Sequence, residues 1–182
     1  MPRDGSAVFS IEADSPGTGE SVERAKITLP SVLLGVGMGG MFDGIMFHQI
    51  LQWHHMLTSE GSYPATTVAG LEVNTLWDGL FHATAYALVV VGLFLLWSRA
   101  REGGMAWSWK RLLGLLLVGW GAFNLVEGII DHHLLGIHHV RMGRHQLAWD
   151  IAFLLLGALL IGIGWLIARA ERSAMPADAD AV

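Results

Sequence analysis

The chain has 182 residues, of which 53% are hydrophobic and only 15% are charged, and its mean hydropathy is +0.48. A soluble domain carries about a quarter charged residues, so the composition excludes a disordered chain and disfavours an ordinary soluble enzyme. The absence of cysteine excludes disulfides, thiolate metal sites and cysteine nucleophiles. The net charge of −5 offers no basic surface, and we expect no nucleic-acid partner. A small integral membrane protein with 9 histidines is the class that remains.

Four apolar runs follow one another along the chain. About 20 apolar residues cross the ~30 Å hydrocarbon core as a helix, and the runs lack the alternation of strands. We therefore predict an all-α, integral membrane four-helix bundle with spans near 29–52, 75–97, 110–131 and 147–168. The expected domains are a disordered tail over 1–27, a transmembrane domain over 28–170 and a second tail over 171–182.

Basic residues are distributed unevenly between the two ends of these spans. Nine of the 11 Lys and Arg residues lie in the tails and the loop between the second and third spans, and only Arg141 and Arg144 lie on the other side. Cytoplasmic segments carry the excess of basic residues. The sequence therefore predicts that both termini are cytoplasmic, that the loops 57–74 and 132–145 face outward, and that the lipid bilayer surrounds the chain.

The sequence contains a candidate internal duplication. A shift of 84 residues aligns 35–55 with 119–139, with eight of 21 positions identical. The matched polar residues are Asp43 with Glu127, His48 with His132, His54 with His138, and His55 with His139. A shift of 72 residues aligns the second and fourth spans and matches Asp78 with Asp150. Shared apolar bias does not place histidines and acids in register. We therefore predict two parallel two-helix repeats, 28–98 and 110–170, about a pseudo-twofold axis along the membrane normal.

Histidines and acids at the outward ends of the spans are candidate metal ligands. An ionisable group within a span is costly, so it faces the bundle interior and a partner. The candidates are His48, His54, His55, His82, His132, His133, His138, His139, Asp43, Asp78, Glu127, Asp131 and Asp150. Imidazole with carboxylate suits a transition metal ion, here copper, zinc or iron.

Helical spacing predicts how these ligands are arranged. At ~100° per residue, His48 shares a stripe with His55, and Asp43 shares another with His54. We expect His48 and His132 as the central ligands, with the paired histidines about two turns further out. We also expect Asp43 and Glu127 each to contact a histidine or the metal across the pseudo-twofold axis.

Three stretches carry a resemblance to a known family. They are Gly40–His55 (GMFDGIMFHQILQWHH), Asn74–His82 (NTLWDGLFH) and Asn124–His133 (NLVEGIIDHH). Over 28–170 the chain resembles a family of predicted bacterial membrane proteins that is known only as a domain of unknown function. The resemblance implies a bacterial inner membrane and a place beside copper-linked assembly of cytochrome oxidase. A respiratory oxidase or its assembly factors would then be partners, and the function would be metal handling or redox chemistry for respiration.

Other functions remain open from the sequence. Membrane di-iron oxidases and hydroxylases also have several spans and many histidines, but their histidine boxes are more closely spaced and face the cytoplasm. A b-type haem protein would use His48 and His132 as axial ligands, with Gly44 and Gly128 clearing room for the ring. A structural or partner-binding subunit is a further alternative, because no sequence feature shows turnover.

Overall fold

The computed structural model describes residues 16–103 and 107–174, and within these ranges the chain forms helices and no strand. The helices are α1 (Pro16–Asp43), α2 (Val68–Arg101), α3 (Trp109–Glu127) and α4 (Gln146–Ala174). Two π-helical segments, Gly44–Ile50 and Gly128–Leu134, continue α1 and α3. The all-α four-helix prediction is confirmed. Helix α1 begins inside the tail that was expected to be disordered, whereas residues 1–15 and 175–182 lie outside the described residues.

Each of the four helices includes a stretch long and apolar enough to cross a membrane. These stretches are Lys26–Ile50, Val68–Arg101, Trp109–Leu134 and Gln146–Ala170. Two helix starts carry side-chain caps: the Thr67 hydroxyl accepts from the Gly70 N–H at 3.1 Å, and the Ser108 hydroxyl accepts from the Arg111 N–H at 3.2 Å. These caps satisfy backbone donors that a helix start leaves unpaired, and they fix where α2 and α3 begin.

Helices α1 and α3 form the centre of the bundle, α2 packs on α1, and α4 packs on α3. The central pair crosses at Gly35 and Gly119. A methyl group added at Gly35 would lie 2.9 Å from the Gly119 Cα and would collide with the Leu116 carbonyl, and one added at Gly119 would collide with the Val32 carbonyl. Small residues let membrane helices approach this closely. The glycine contact therefore sets the separation of the two halves.

The π-helical segments determine where the first histidines lie. In this geometry the backbone bonds join residues five apart, as the 2.8 Å bonds from Leu51 N to Met46 O and from Leu135 N to Ile130 O show. His48 is five residues after Asp43, so the widened turn brings their side chains together. The stripes calculated at ~100° per residue assume a regular α-helix through residue 55, whereas the helical segment ends at Ile50. His48 and His55 nevertheless meet, because both bond to Asp78.

The glycine crossing generates a prediction about stability. We expect Gly35→Ala and Gly119→Ala each to destabilise the bundle by about 1–3 kcal/mol, because the new methyl group meets backbone that cannot move aside. Thermal unfolding in detergent measures the effect. Gly79→Ala is the matched control, because a methyl group added at Gly79 would have no neighbouring heavy atom within 4 Å. Equal stability of all three variants would contradict this packing.

Candidate metal centre

Four histidines and two acids converge at the end of the bundle that holds the π-helical segments. We call them the histidine–carboxylate cluster: His48, His54, His132, His138, Asp43 and Glu127. The four histidines are 0–3% exposed, and the two acids are 3% and 7% exposed. Such groups are rarely buried without partners. Their contacts therefore define what the cluster can do.

His48 and His132 occupy equivalent positions, each between two carboxylates. The Nδ1 of His48 lies 2.9 Å from Oδ1 of Asp78, and its Nε2 lies 3.4 Å from Oδ2 of Asp43. The Nε2 of His132 lies 3.1 Å from Oε1 of Glu127, and its Nδ1 lies 3.5 Å from Oδ1 of Asp150. Since a carboxylate accepts the Nδ1 proton of His48, the Nε2 lone pair of that ring points into the cluster.

His54 and His138 form the middle of the cluster. Their rings stack with centroids 4.8 Å apart and planes 10° apart. His54 Nδ1 donates to the Val140 carbonyl at 2.9 Å, and His138 Nδ1 donates to the Met56 carbonyl at 3.2 Å. Because a carbonyl only accepts, these bonds fix the tautomer and leave Nε2 without a proton in the neutral rings.

The charge state of His54 follows from the same surroundings. Burial lowers the pKa of His54 well below the ordinary imidazole value, and the neighbouring His138 and His48 lower it further. The His54 ring is therefore neutral at pH 7, which is the form that binds a metal ion. Its buried Nε2 has no hydrogen-bond partner.

One contact in the cluster requires a cation. The Nε2 of His138 lies 2.8 Å from Oε1 of Glu127, although Nδ1 of the same ring donates to a carbonyl. In a neutral ring both facing atoms carry lone pairs, so a proton or a metal ion between them is needed to remove the repulsion. Other buried atoms without a hydrogen-bond partner include Asp43 Oδ2, His48 Nε2, His54 Nε2, Glu127 Oε2 and both ring nitrogens of His132. Each such atom costs about 1–3 kcal/mol when unpaired, and a bound proton or a metal ion at the cluster could remove this cost.

Two overlapping sets of ligand atoms have metal-binding geometry. One set is His48, His54 and His138, and the other is Glu127, His132 and His138. Within each set the ligand atoms lie within 4.8 Å of one another, and all of these residues are buried. His138 belongs to both sets, so the cluster has the dimensions for one ion or for two neighbouring ions.

Asp78 and Asp150 hold the cluster from outside. Asp78 accepts from His55 Nδ1 at 2.6 Å and from Met56 N at 2.9 Å. Asp150 accepts from His139 Nδ1 at 2.8 Å and from Val140 N at 3.0 Å. Each aspartate thus ties a buried histidine, a loop histidine and the loop backbone together. Metal-ligating histidines ordinarily have such a carboxylate at their second nitrogen.

The remaining candidates lie outside the cluster. His82 Nδ1 donates to the Asp78 carbonyl at 2.7 Å, and its ring fills the space beside Gly44. His133 is exposed, and Asp131 is half-buried in the wall of a cavity of about 270 Å³ that also reaches Glu127.

The expectation that Asp43 and Glu127 each contact a histidine is confirmed, but the histidines are His48, His132 and His138 of the same half of the chain as the acid. One expectation about the arrangement is wrong. His54 and His138 are central, not two turns further out, because the helical segments end at Ile50 and Leu134 and the chain folds back.

Sequence reasoning also missed the backbone of Met56 and Val140. Their carbonyls are the acceptors that join the two halves. Any residue type supplies a carbonyl, so no side-chain signal identifies these positions.

The fold and the cluster define a membrane-spanning four-helix protein with a buried histidine–carboxylate site. The chain belongs to the family described as "Predicted membrane protein (DUF2243)", whose match covers residues 30–171. Comparison with curated proteins and with solved structures gave no match.

The role of Asp78 in holding the histidines in place can be tested by substitution. We expect Asp78→Asn to lower the free energy of unfolding by about 1–3 kcal/mol. The two oxygens of Asp78 accept from two histidines and a backbone N–H, whereas the amide of asparagine has a single oxygen that can accept. Thermal unfolding in detergent measures this loss. Asp131→Asn is the control, since the side chain of Asp131 makes no hydrogen bond with the described residues, and an equal loss for both variants would contradict the assignment.

Proposed function

We propose that this protein is a membrane metalloprotein whose histidine–carboxylate cluster holds one or two transition metal ions. The observation that supports the proposal is the convergence of ring nitrogens from His48, His54 and His138, whose Nδ1 atoms are already hydrogen-bonded, so that Nε2 is the atom left for a metal ion. The tautomers are thereby set for ligation before any ion arrives. Bundle cores commonly assemble metal sites from histidines and carboxylates on facing helices.

The types of ligand in the cluster limit which metal ions it can bind. Imidazole with carboxylate favours zinc, iron and Cu(II), whereas Cu(I) prefers the sulfur ligands that are absent from the cluster. Iron or copper would supply redox chemistry, and zinc would supply a Lewis acid. We propose metal handling or electron transfer linked to respiration, with an oxidase or its assembly factors as partner.

A dinuclear centre of the di-iron type is the second candidate. The two ligand sets share His138, and each lies beside one of the acids Asp43 and Glu127. The b-type haem alternative is disfavoured by the same geometry. His138 stands 5.9 Å from the ring of His48, and His54 stands 6.4 Å from the ring of His132. The space a haem plane would need between its two axial ligands is therefore filled.

The paired contacts support an origin by duplication of 28–98 and 110–170. The contacts of His48, His54 and Asp78 recur at His132, His138 and Asp150. We propose that the two halves are parallel repeats and that both termini lie in the cytoplasm of a bacterial cell. The cluster then lies at the outer side of the inner membrane.

Reporter fusions test the orientation. A reporter active only outside the cytoplasm is fused after Val182 and, separately, inserted after Gly61 in the 57–74 loop. We expect activity only from the loop insertion, because basic residues hold the termini in the cytoplasm. Activity at both positions, or only after Val182, would refute the orientation.

Metal analysis of the purified protein tests the centre itself. We expect wild-type protein in detergent to hold one or two ions per chain, and His48→Ala with His132→Ala to hold less by about tenfold or more. His133→Ala is the control and should retain the metal, because His133 is exposed. Circular dichroism and gel filtration report whether each variant is folded. Metal-free wild-type protein after exposure to zinc, iron and copper, or full metal in the folded double variant, would falsify the proposal.

A further inference from the structure

A polar cavity of about 390 Å³ lies on one side of the cluster. Its polar walls include Gln49, Gln52, Thr58 and Thr75. Three of these are exposed and Thr58 is half-buried, whereas the cavity residues His48, His54 and Asp78 are buried. The cavity therefore extends from the protein surface to the ligands and is lined by amide and hydroxyl oxygens along the way.

At the corresponding positions in the second half of the chain, three of these four residues are replaced by residues without an amide or hydroxyl, and Gln49 corresponds to His133. Gln52 corresponds to Gly136, Thr58 to Met142 and Thr75 to Leu147. A cavity of about 250 Å³ on that side is lined by Met142 together with Arg141, Arg144, His145 and Trp149.

Two arginines, Arg141 and Arg144, line the cavity in the second half of the chain. The Arg141 guanidinium lies 5.0 Å from the ring centre of Trp53 and 5.8 Å from that of Trp149. Trp53 also lines the polar cavity, so Arg141 lies between the two cavities, and Arg144 is the cation that lines the second cavity alone. The lining of the second cavity includes no residue of the cluster, and the charge of Arg144 repels cations there.

The backbone at Gln52 adds an independent observation. Gln52 has φ 49°, in the left-handed region, and Gly136 at the equivalent position has φ 60°. Glycine adopts this conformation freely, whereas glutamine is disfavoured in it. A strained residue that lines a cavity points to a role for its side chain.

We infer that a hydrated divalent transition-metal cation reaches the cluster through the cavity beside Gln52 and Thr75, and not through the cavity beside Arg144, whose lining includes no residue of the cluster. This inference rests on the proposed function. Amide and hydroxyl oxygens replace part of the water shell of the ion, and the bare Nε2 atoms of His48 and His54 then bind it. The cation travels from the aqueous phase and does not cross the hydrocarbon core.

The experiment measures the rate of Co²⁺ uptake. Purified full-length protein is stripped with a chelator and mixed with Co²⁺ in detergent, and the ligand-field absorption is followed by stopped flow. We expect Thr75→Trp to slow uptake by about tenfold with the same final stoichiometry, because the indole blocks the cavity that reaches the ligands and the second cavity reaches none of them. Leu147→Trp is the matched control at the equivalent position of α4, and its rate should equal that of wild type.

A second pair of variants uses charge instead of bulk and changes only exposed residues. Gln52→Lys should slow uptake by about tenfold at low ionic strength and regain most of the rate at about 0.5 M salt, because salt screens exposed charges. Arg144→Gln should leave the rate unchanged.

The outcomes separate the two proposals. Wild-type protein that binds no Co²⁺ overturns the proposed function together with the route. Normal Co²⁺ binding with unchanged rates in Thr75→Trp and Gln52→Lys overturns the route alone, as does slower uptake in Leu147→Trp. If Thr75→Trp fails to fold, the Gln52→Lys result decides.

Discussion

The buried carboxylates of Asp43 and Glu127 are the constraint on which the rest of the site depends. An ionised acid at the centre of a membrane span costs roughly 2.5–3.5 kcal/mol, and it is tolerated only where partners replace water. Here the partners are ring nitrogens, and three of those rings have already donated their Nδ1 proton to Asp78, Val140 or Met56. When these rings are neutral they present lone pairs to the acids, so an added proton or a metal ion has to compensate the charge. Under the proposed function the metal ion does so, and its ligands are the polar atoms of the cluster that lack hydrogen-bond partners within the protein.

Two features of the backbone hold the acids and rings at ligand distance. The crossing of Gly35 with Gly119 fixes how far apart α1 and α3 lie. The π-helical segments that follow turn the first histidine of each half back over its own acid. Extra residues in a helix turn interrupt its regular bonding, and such turns are common at functional sites. The loops then return, and the reciprocal bonds to Val140 and Met56 lock the stacked pair of histidines on the line between the halves.

Sequence patterns predicted the helices and much of the ligand inventory, but not their arrangement. Hydropathy predicts spans because lipid contact selects apolar residues along a whole helix, and the match of His48 with His132 identifies two members of the cluster. The π geometry has no comparable signal, since Gly44 and Gly128 are equally compatible with an α-helix. A regular helix would carry His54 away from the membrane, and only the end of the helical segment at Ile50 brings it back. The distinction between His54, which faces the cluster, and His55, which binds Asp78, was likewise invisible in a pair of adjacent identical residues.

The two halves of the chain carry matching histidines and acids in the cluster but different residues around it. Both properties would suit a site that holds a buried ion. Matched ligands around an axis place similar donors on each side of one ion or of two. Water on both sides would raise the local dielectric and weaken every charge interaction in the cluster. Arg141 packs against the indole rings of Trp53 and Trp149, and Trp53 also lines the polar cavity together with amides and hydroxyls. Under the proposed function an ion reaches the ligands through that cavity, because its lining includes His48 and His54, whereas the lining of the cavity beside Arg144 includes no residue of the cluster. Gln52 and Gly136 share one backbone conformation but not one side chain, and at this pair of positions the proposed site is symmetric for binding and one-sided for access.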